Sequence, residues 1–143
     1  MKELLIIGWR EWVSLPELGI KEIKAKIDTG ARSSCLHAED IEIITHKKKE
    51  FVHFTIDPFQ NTKKKEVRVK APFLEYRNIR SSNGKVERRP VIVTDIELMG
   101  NVWPIEVTLT SRDVMGFRML LGRQAIKKKF LIDAHRSFLA HER

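Results

Sequence analysis

Apolar and polar residues alternate along most of this chain, which is the pattern of half-buried β-strands. Ile23, Ala25 and Ile27 are separated by single charged residues, so one face of this segment would lie on a core and the other would face water. The same period of two recurs in five further segments: DIEIITH at 40–46, EFVHFTI at 50–56, EVRVKA at 66–71, RPVIVTDIEL at 89–98 and WPIEVTLT at 103–110. The pattern predicts a mainly β protein built from many short strands.

Turn signals separate these segments. Asn83-Gly84, within SNGK at 82–85, tolerates the positive φ angles that a tight hairpin turn needs. The segment LMGNVW at 98–103 is a second hairpin candidate. Many short strands joined in this way indicate a closed barrel or a compact β-sandwich.

Helical signals are confined to the last third of the chain. The segment GRQAIKKK at 122–129 predicts one short helix, directly after the apolar run MLL at 119–121. The segment SRDVM at 111–115 predicts one helical turn with Ser111 as its N-cap. The chain closes with two apolar segments, FLID at 130–133 and SFLA at 137–140.

The composition is that of a soluble globular protein. The 143 residues predict a single domain over 1–143, with 42% hydrophobic and 32% charged residues. No apolar run approaches the roughly 20 residues that cross a bilayer, and the apolar run near the N-terminus is too short for a signal peptide. The single cysteine, Cys35, offers no disulfide framework. These features predict a cytoplasmic protein without membrane contact.

The net charge of +8 changes the expected partners. Such a balance attracts polyanions: nucleic acid, an anionic membrane surface or an acidic peptide. Part of the charge lies in three lysine triplets, at 47–49, 63–65 and 127–129. We expect these triplets to be solvated loops, and contact with RNA or the ribosome is the second interpretation.

The segment KIDTGARSS carries the candidate chemistry. Asp28 ends the alternating strand, where an unpaired carboxylate is costly unless it is hydrogen-bonded or paired. Gly30 allows a sharp turn and a close backbone approach, and the Thr29 hydroxyl can both donate and accept a hydrogen bond. The arrangement suits a carboxylate held rigidly against an extended substrate. An ordinary strand that runs into a turn is the alternative.

Several motifs together resemble a known family. IDTGA at 27–31, the hairpin around Asn83-Gly84 and MLLGRQAI at 119–126 resemble a retropepsin-type aspartic peptidase. The chain resembles more closely the bacterial RimB family, which is also labelled ATP-dependent zinc protease. The resemblance covers nearly the whole chain, through the segments WVSLPELGI at 12–20, KIDTGARSSCLHA at 26–38, RSSNGKVERRPVI at 80–92 and TSRDVMGFRMLLGR at 110–123.

The resemblance implies a closed β-barrel with one short C-terminal helix that starts near Arg123. Asp28 would be the catalytic aspartate, and Thr29 and Gly30 would complete its loop. The hairpin at 80–89 would be a flap over the substrate, with Ser82, Asn83 and Gly84 at its tip. Leu120, Leu121 and Gly122 would lie behind the active-site loop.

The expected mechanism needs two carboxylates that share one proton, because two adjacent like charges do not both ionise easily. The sequence holds one Asp-Thr-Gly. The second carboxylate would therefore come from a second copy across a two-fold axis, as in retropepsins. This predicts a homodimer with Asp28 of each copy at its centre.

The arginines suggest an acidic substrate. Retropepsins commonly carry an acidic residue after this motif, and this chain has Arg32 there while it retains Arg123; two neighbouring arginines repel unless an anion lies between them. Arg77 and Arg88 flank the hairpin as well. The candidate substrate-binding residues are Ala31, Arg32, Arg80, Arg89, Arg112 and Arg123. The family resemblance implies cleavage of the α-linked poly-glutamate tails that the ligase RimK adds to a small-subunit ribosomal protein.

The sequence gives little support for a metal or a nucleotide. None of its five histidines lies in H-E-x-x-H, and C-x-x-C and the P-loop motif are absent. Cys35 and His37 share one strand face and would form half of a metal site, although a packed core pair is the favoured interpretation. We expect no cofactor. Two alternative functions stay open: a non-catalytic basic β-barrel that binds ribosomal RNA or protein, and a zinc-dependent hydrolase.

Overall fold

The computed structural model describes residues 3–58, 66–81, 83–112 and 116–141. Within them the chain forms eleven β-strands: β1 (Leu5–Gly8), β2 (Arg10–Leu15), β3 (Ile20–Asp28), β4 (Ser34–His37), β5 (Glu39–His46), β6 (Lys49–Ile56), β7 (Val67–Arg80), β8 (Val86–Leu98), β9 (Asn101–Thr110), β10 (Met119–Gly122) and β11 (Phe130–Asp133). One short α-helix, α1, covers Arg123–Ile126, and single 3-10 turns cover Pro16–Leu18 and Leu139–His141. No helix in these ranges is both long enough and apolar enough to cross a membrane.

Nine of the described strands form one sheet, in the order β2-β3-β10-β4-β9-β8-β7-β6-β5. The order returns on itself because Ser14 of β2 also pairs with Glu97 of β8. Six strands therefore make a ring that is closed at a single described bridge, and β7, β6 and β5 extend the sheet beyond it. The expected mainly β fold is confirmed. The strands β2 and β8 that close the ring share one described residue pair and not a full ladder of hydrogen bonds.

The elements follow the hydrophobic pattern closely. Each of the six alternating segments lies in a strand, and both expected hairpins are present. The second hairpin turns at Met99 and Gly100, whose φ angles are 55° and 76°. The expected helix is shorter than its signal, because the backbone of Lys127 becomes extended at φ −55° and ψ 141°. The SRDVM turn at 111–115 and the lysine triplet at 63–65 fall partly or wholly outside the described residues.

The buried core follows the period of two along the strands of the ring and continues onto β6 and β7. On β3, Ile23 and Ala25 are completely buried, and Ile27 is nearly so. Leu36 of β4 and Leu121 of β10 are completely buried beside them. A fully buried aliphatic side chain of this size contributes roughly 1.5–3 kcal/mol relative to an exposed one. The strands that carry the candidate site are therefore fixed by the best-packed part of the molecule.

A buried carboxylate joins the two ends of the described chain. Glu11 of β2 has no exposed surface, and its two oxygens accept hydrogen bonds from the backbone N–H groups of Gly8, Leu139 and Ala140, at 2.6, 2.9 and 3.0 Å. A buried charge is tolerated only when such bonds compensate for its lost hydration. The C-terminal 3-10 turn is thereby fixed against β1 and β2.

We expect Glu11→Ala to lower the free energy of unfolding by about 3 kcal/mol, because three buried backbone donors lose a charged acceptor. Urea unfolding followed by tryptophan fluorescence would measure this. Glu97→Ala is a matched control, since Glu97 is an exposed glutamate on β8 and its loss should change stability by no more than about 0.5 kcal/mol. Equal effects of the two substitutions would contradict the structural role of Glu11.

Candidate active site

Asp28 is the last residue of β3, and it stands beside the end of a parallel neighbour. In the β3–β10 ladder, Leu121 pairs with Ile27 and Gly122 pairs with Asp28. On its other side β10 runs antiparallel to β4, where Leu120 pairs with Cys35. Asp28 therefore lies at the end of β3, next to β10, which in turn pairs with β4. Regular strand pairing fixes the backbone up to Asp28 itself.

The backbone of Gly122 touches the loop that follows Asp28. A Cβ atom at Gly122 would lie 2.5 Å from the carbonyl carbon and oxygen of Ser33 and 2.8 Å from the carbonyl oxygen of Arg32. The Gly122 N–H also donates a hydrogen bond to Ser34 Oγ at 3.1 Å. Only a glycine permits this approach, so the glycine after the two leucines sets the position of the Asp28 loop.

The Asp28 loop folds back on its own aspartate. Asp28 Oδ1 accepts a hydrogen bond from the Gly30 N–H at 3.1 Å, and the Asp28 carbonyl accepts one from the Ala31 N–H at 3.2 Å. One carboxylate oxygen is thus oriented by the loop itself. Asp28 remains half-buried, so the carboxylate is accessible to a reactant as well as positioned.

The start of α1 braces the same loop. The N–H groups of Arg123 and Gln124 donate to the carbonyls of Ala31 and Arg32, at 2.7 and 3.1 Å. The Arg123 side chain donates through Nη1 to the carbonyl of Thr29 at 2.9 Å. The described contact of the Arg123 guanidinium is thus with the Asp28 loop, and Arg123 is not among the residues that line the cleft. Its expected role in substrate binding stays a prediction.

A cleft of about 1460 Å³ opens beside Asp28. Gly30, Ala31 and Arg32 line it on the loop side, and the segment from Arg77 to Ser81, together with Asn83, lines it on the hairpin side. Among its described lining residues, six side chains are basic and two are acidic: Arg32, Arg77, Arg80, Arg89, Arg112 and Lys129 against Asp28 and Glu106. Basic side chains therefore outnumber acidic ones in this lining.

The hairpin of β7 and β8 forms the wall expected to act as a flap. Its tip is closed by a hydrogen bond from the Ser81 N–H to the Lys85 carbonyl at 2.8 Å, and Gly84 takes a φ of 83°. Asn83 braces the turn through its side-chain oxygen, which accepts from the Lys85 N–H at 3.1 Å. Arg80 donates to the Gly84 carbonyl at 3.1 Å. Ser82 lies outside the described residues.

Arg77 is fully engaged within the chain. Its Nε and Nη2 both donate to Glu75 Oε2, at 3.0 and 2.8 Å, and its Nη1 donates to Glu106 Oε1 at 3.0 Å. The hydrogen bond to Glu75 is the largest cause that raises the pKa of Arg77 above its usual value. Both acidic partners face the solvent or the cleft, so Arg77 contributes structure more than free positive charge.

Arg89 is the deepest of the cleft arginines and is mostly buried. It donates through Nε to Glu87 Oε1 at 2.6 Å and through Nη1 to Cys35 Sγ at 3.3 Å. Glu87 also pairs with Arg112, whose Nε lies 2.9 Å from Oε2. Burial would raise the pKa of Glu87, but hydrogen bonds from Thr110 and Arg89 and the two positive charges outweigh it and lower that pKa.

Cys35 and His37 do not form a joint site. Burial raises the pKa of the Cys35 thiol, and the nearby Arg89 guanidinium offsets only part of this effect, so the thiol is protonated at neutral pH. The His37 side chain is 13% exposed; its Nδ1 contacts Arg118 Nη1 at 3.0 Å and its Nε2 contacts the Ser111 carbonyl at 3.1 Å. The favoured interpretation as a packed pair stays a prediction. No group of three or more potential metal ligands occurs among the described residues.

Most of the site residues expected from the sequence meet in one place. The cleft is lined by Asp28, Gly30, Ala31, Arg32, Arg80, Asn83, Arg89 and Arg112. Thr29, Gly84 and Arg123 lie just outside that lining. Arg32 is exposed, and its side chain has no ion pair with any residue that the structure describes. An anion between Arg32 and Arg123 stays a prediction. Sequence reasoning missed Glu87 and Glu106, although the period of two on β8 places Glu87 on the same face as Arg89.

A carboxylate loop that rests on a glycine of a parallel strand and faces a hairpin across a cleft defines a retropepsin-like protein. The fold is similar to the crystal structure of a protein of unknown function from Legionella pneumophila, with a TM-score of 0.79 and 29% identity over 96% of this chain and 99% of that chain. Residues 6–143 match the RimB-like family, described as retropepsin-like aspartic endopeptidase RimB. The chain belongs to this family, and the resemblance seen in its motifs is confirmed.

Curated relatives carry a different kind of name. Two proteins named probable alpha-L-glutamate ligase, from Shewanella pealeana and Shewanella halifaxensis, are 46% identical over 96% and 93% of this chain. A third with that name, from Desulfotalea psychrophila, is 45% identical over 90% of it. The chain spans only 28–30% of the length of these relatives.

The contact at Gly122 leads to a stability prediction. We expect Gly122→Ala to lower the free energy of unfolding by about 1–3 kcal/mol, because the new methyl group forces the Ser33 backbone to move. Gly30→Ala is the control in the same loop, since a Cβ there meets the movable Asp28 Oδ1 at 3.3 Å. Chemical denaturation of both variants would measure the difference, and a Gly122 variant as stable as the Gly30 variant would contradict the close-packing argument.

Proposed function

We propose that the chain is an aspartic peptidase that hydrolyses α-linked glutamate chains, in the cytoplasm, of the kind that the ligase RimK adds to a small-subunit ribosomal protein. The observation that carries the proposal is the position of Asp28 in a cleft lined by six basic side chains. The family, described as aspartic endopeptidases, supports the reaction class. The relatives named alpha-L-glutamate ligase support the substrate, since addition and removal of glutamate involve the same peptide.

The chemistry requires a second carboxylate near Asp28. Glu106 is the other acidic residue among the described lining of the cleft, but its carboxylate is already paired with Arg77 at 3.0 Å. We therefore infer that the partner is Asp28 of a second copy, related by a two-fold axis. Two such carboxylates share one proton, because their charges repel when both are ionised.

In this mechanism the ionised carboxylate of the pair takes a proton from water, and the oxygen of that water attacks the peptide carbonyl carbon. The protonated carboxylate gives its proton to the carbonyl oxygen, which yields a neutral tetrahedral diol. The carbon–nitrogen bond then breaks as the leaving nitrogen receives a proton, and the carbonyl re-forms as a carboxylic acid. Each step moves protons only between the pair, water and substrate, so no cofactor is needed.

An exposed apolar strip also supports a second copy. Ile6 of β1 and Leu131 of β11 are 51% and 54% exposed, and they pair directly in the two-stranded parallel sheet, so their side chains share one face. Clustered apolar side chains of this size are typical of an interaction surface. A dimer that buries them would give the stability that a shared active site requires.

We expect Asp28→Asn to reduce hydrolysis of α-linked poly-glutamate by about a thousandfold or more, because an amide does not take up the proton of the attacking water. Mass spectrometry of the products would measure the loss. Binding of the substrate should persist or strengthen, since one negative charge leaves a basic cleft. Undiminished hydrolysis would remove Asp28 from the mechanism, whereas binding to RNA without any hydrolysis by the natural chain would favour the non-catalytic alternative.

A mixing experiment tests the shared pair. When natural chains are refolded together with a ninefold excess of Asp28→Asn chains, activity per natural chain should fall to about one tenth, because nearly all natural chains then pair with an inactive partner. The control replaces the variant with the same excess of an unrelated protein. Activity that does not fall, or a monomeric mass for the active species, would show that one chain suffices.

A further inference from the structure

The cleft arginines differ in which of their nitrogens are already occupied. Arg77 uses Nε, Nη1 and Nη2 on two carboxylates, those of Glu75 and Glu106. The described ion pair of Arg112 joins its Nε to Glu87 Oε2 at 2.9 Å. Its Nη1 and Nη2 have no hydrogen-bond partner among the residues that the structure describes, and its side chain is 54% exposed. Arg112 lines the cleft, and the terminal nitrogens of its guanidinium are left for a ligand.

Arg112 is anchored at two points. Its backbone N–H donates to Thr110 Oγ1 at 3.1 Å, and its Nε is held by Glu87, which is 22% exposed. Glu87 is fixed in turn by Arg89, through the 2.6 Å contact to Nε, and Arg89 reaches the buried Cys35. The orientation of Arg112 is thus set by a chain of contacts that ends in the core. A side chain ordered before binding loses less entropy when a ligand arrives.

We propose that Arg112 determines specificity by binding a side-chain carboxylate of the substrate with Nη1 and Nη2, and that Glu87 is the positioning residue that aims it. The two terminal nitrogens of a guanidinium match the two oxygens of a carboxylate, which a lysine does not reproduce. This inference rests on the proposed function, because it concerns which residue recognises the acidic peptide in the same cleft.

The other arginines are less suited to this role. Arg89 is mostly buried and bonded within the chain, and Arg123 is bonded to the loop carbonyl of Thr29. Arg32 is exposed and has no described contact that orients its guanidinium. It adds positive charge near Asp28, which attracts an anionic peptide without fixing one carboxylate. Arg80 donates through Nη1 to the Gly84 carbonyl at 3.1 Å. Among these arginines, only Arg112 combines a described anchor with two terminal nitrogens that have no described partner.

The test measures binding and turnover of α-linked tetraglutamate and of tetraglutamine, its neutral isostere. We expect Arg112→Gln to raise the KM for tetraglutamate by about tenfold or more. In the inactive Asp28→Asn background, the same substitution should raise the Kd for tetraglutamate by a similar factor. Neither constant should change by more than about twofold for tetraglutamine. Arg112→Lys should recover only part of the loss, since it keeps the charge and lacks the fork.

Arg88→Gln is the matched control on the hairpin. It removes the same charge, but Arg88 lies over the ring of Tyr76, 4.1 Å from its centroid, and is not among the residues that line the cleft. The control should leave both constants within about twofold of the natural values. An effect as large as that of Arg112→Gln would mean that overall charge, not the fork of Arg112, selects the substrate.

Glu87→Gln separates positioning from simple electrostatics. The substitution makes the cleft more positive, so charge alone predicts tighter binding of tetraglutamate and a lower KM. If Glu87 orients the Arg112 guanidinium, its loss should raise the KM for tetraglutamate and change kcat little. A lower or unchanged KM in a variant with a native circular dichroism spectrum would overturn the role of Glu87.

The two proposals fail in different ways. Absence of hydrolysis by the natural chain, together with tetraglutamate binding that depends on Arg112, would overturn the peptidase and keep the specificity residue. Hydrolysis of tetraglutamate that Arg112→Gln leaves unchanged would keep the peptidase and overturn the specificity residue. If tetraglutamine binds as tightly as tetraglutamate, the cleft does not recognise the side-chain carboxylates of the substrate, and the role of Arg112 is overturned.

Discussion

The close approach of Gly122 to the backbone of Ser33 is the contact on which the site depends. It joins the end of β10 to the loop that carries Asp28, at a distance that no larger residue permits. The helix that follows begins at once, and its first N–H groups have no partner within the helix. Those of Arg123 and Gln124 are satisfied by the carbonyls of Ala31 and Arg32. One contact thus fixes the strand end, the loop and the helix start together.

The charged residues of the cleft form a second layer of organisation. Deep in the wall, Arg89 would be costly if it were unpaired, and Glu87 compensates for it at 2.6 Å. Near the surface, Arg77 is neutralised twice over, while Arg112 shares Glu87 with Arg89. Arg89 and Arg77 therefore serve mainly to stabilise the wall, whereas Arg112 and the exposed Arg32 leave positive charge for a ligand. Within this set of arginines, the buried ones stabilise the hairpin, and the exposed ones favour an anionic ligand.

Much of the fold was predictable because strand formation leaves a local signal. The alternation in β3 and the glycine at the tip of the β8–β9 hairpin follow from backbone geometry, and both were found in the sequence. The placement of Glu11 and the pairing of β1 with β11 were not, since each depends on residues more than a hundred positions away. The place of Asp28 at the end of a strand was expected from the sequence. The acidic partner of each arginine was not, because it depends on tertiary contacts that the alternation of apolar and polar residues does not reveal. The contact of Arg123 with the Thr29 carbonyl is one such partner that the sequence did not indicate.

An aspartic peptidase for an acidic chain meets an electrostatic conflict. The substrate brings several carboxylates toward a carboxylate pair, and two like charges 4 Å apart repel by about 1 kcal/mol in water and about 4 kcal/mol in a partly desolvated site. A neutral cleft would therefore hold its own substrate away from Asp28. The excess of basic over acidic side chains in the lining would offset that repulsion, and under the proposed function an anchored guanidinium such as Arg112 would hold the substrate carboxylates at a fixed distance from Asp28. Attraction and spacing are separate requirements, and they explain why such a cleft contains both exposed arginines and arginines held by acidic partners.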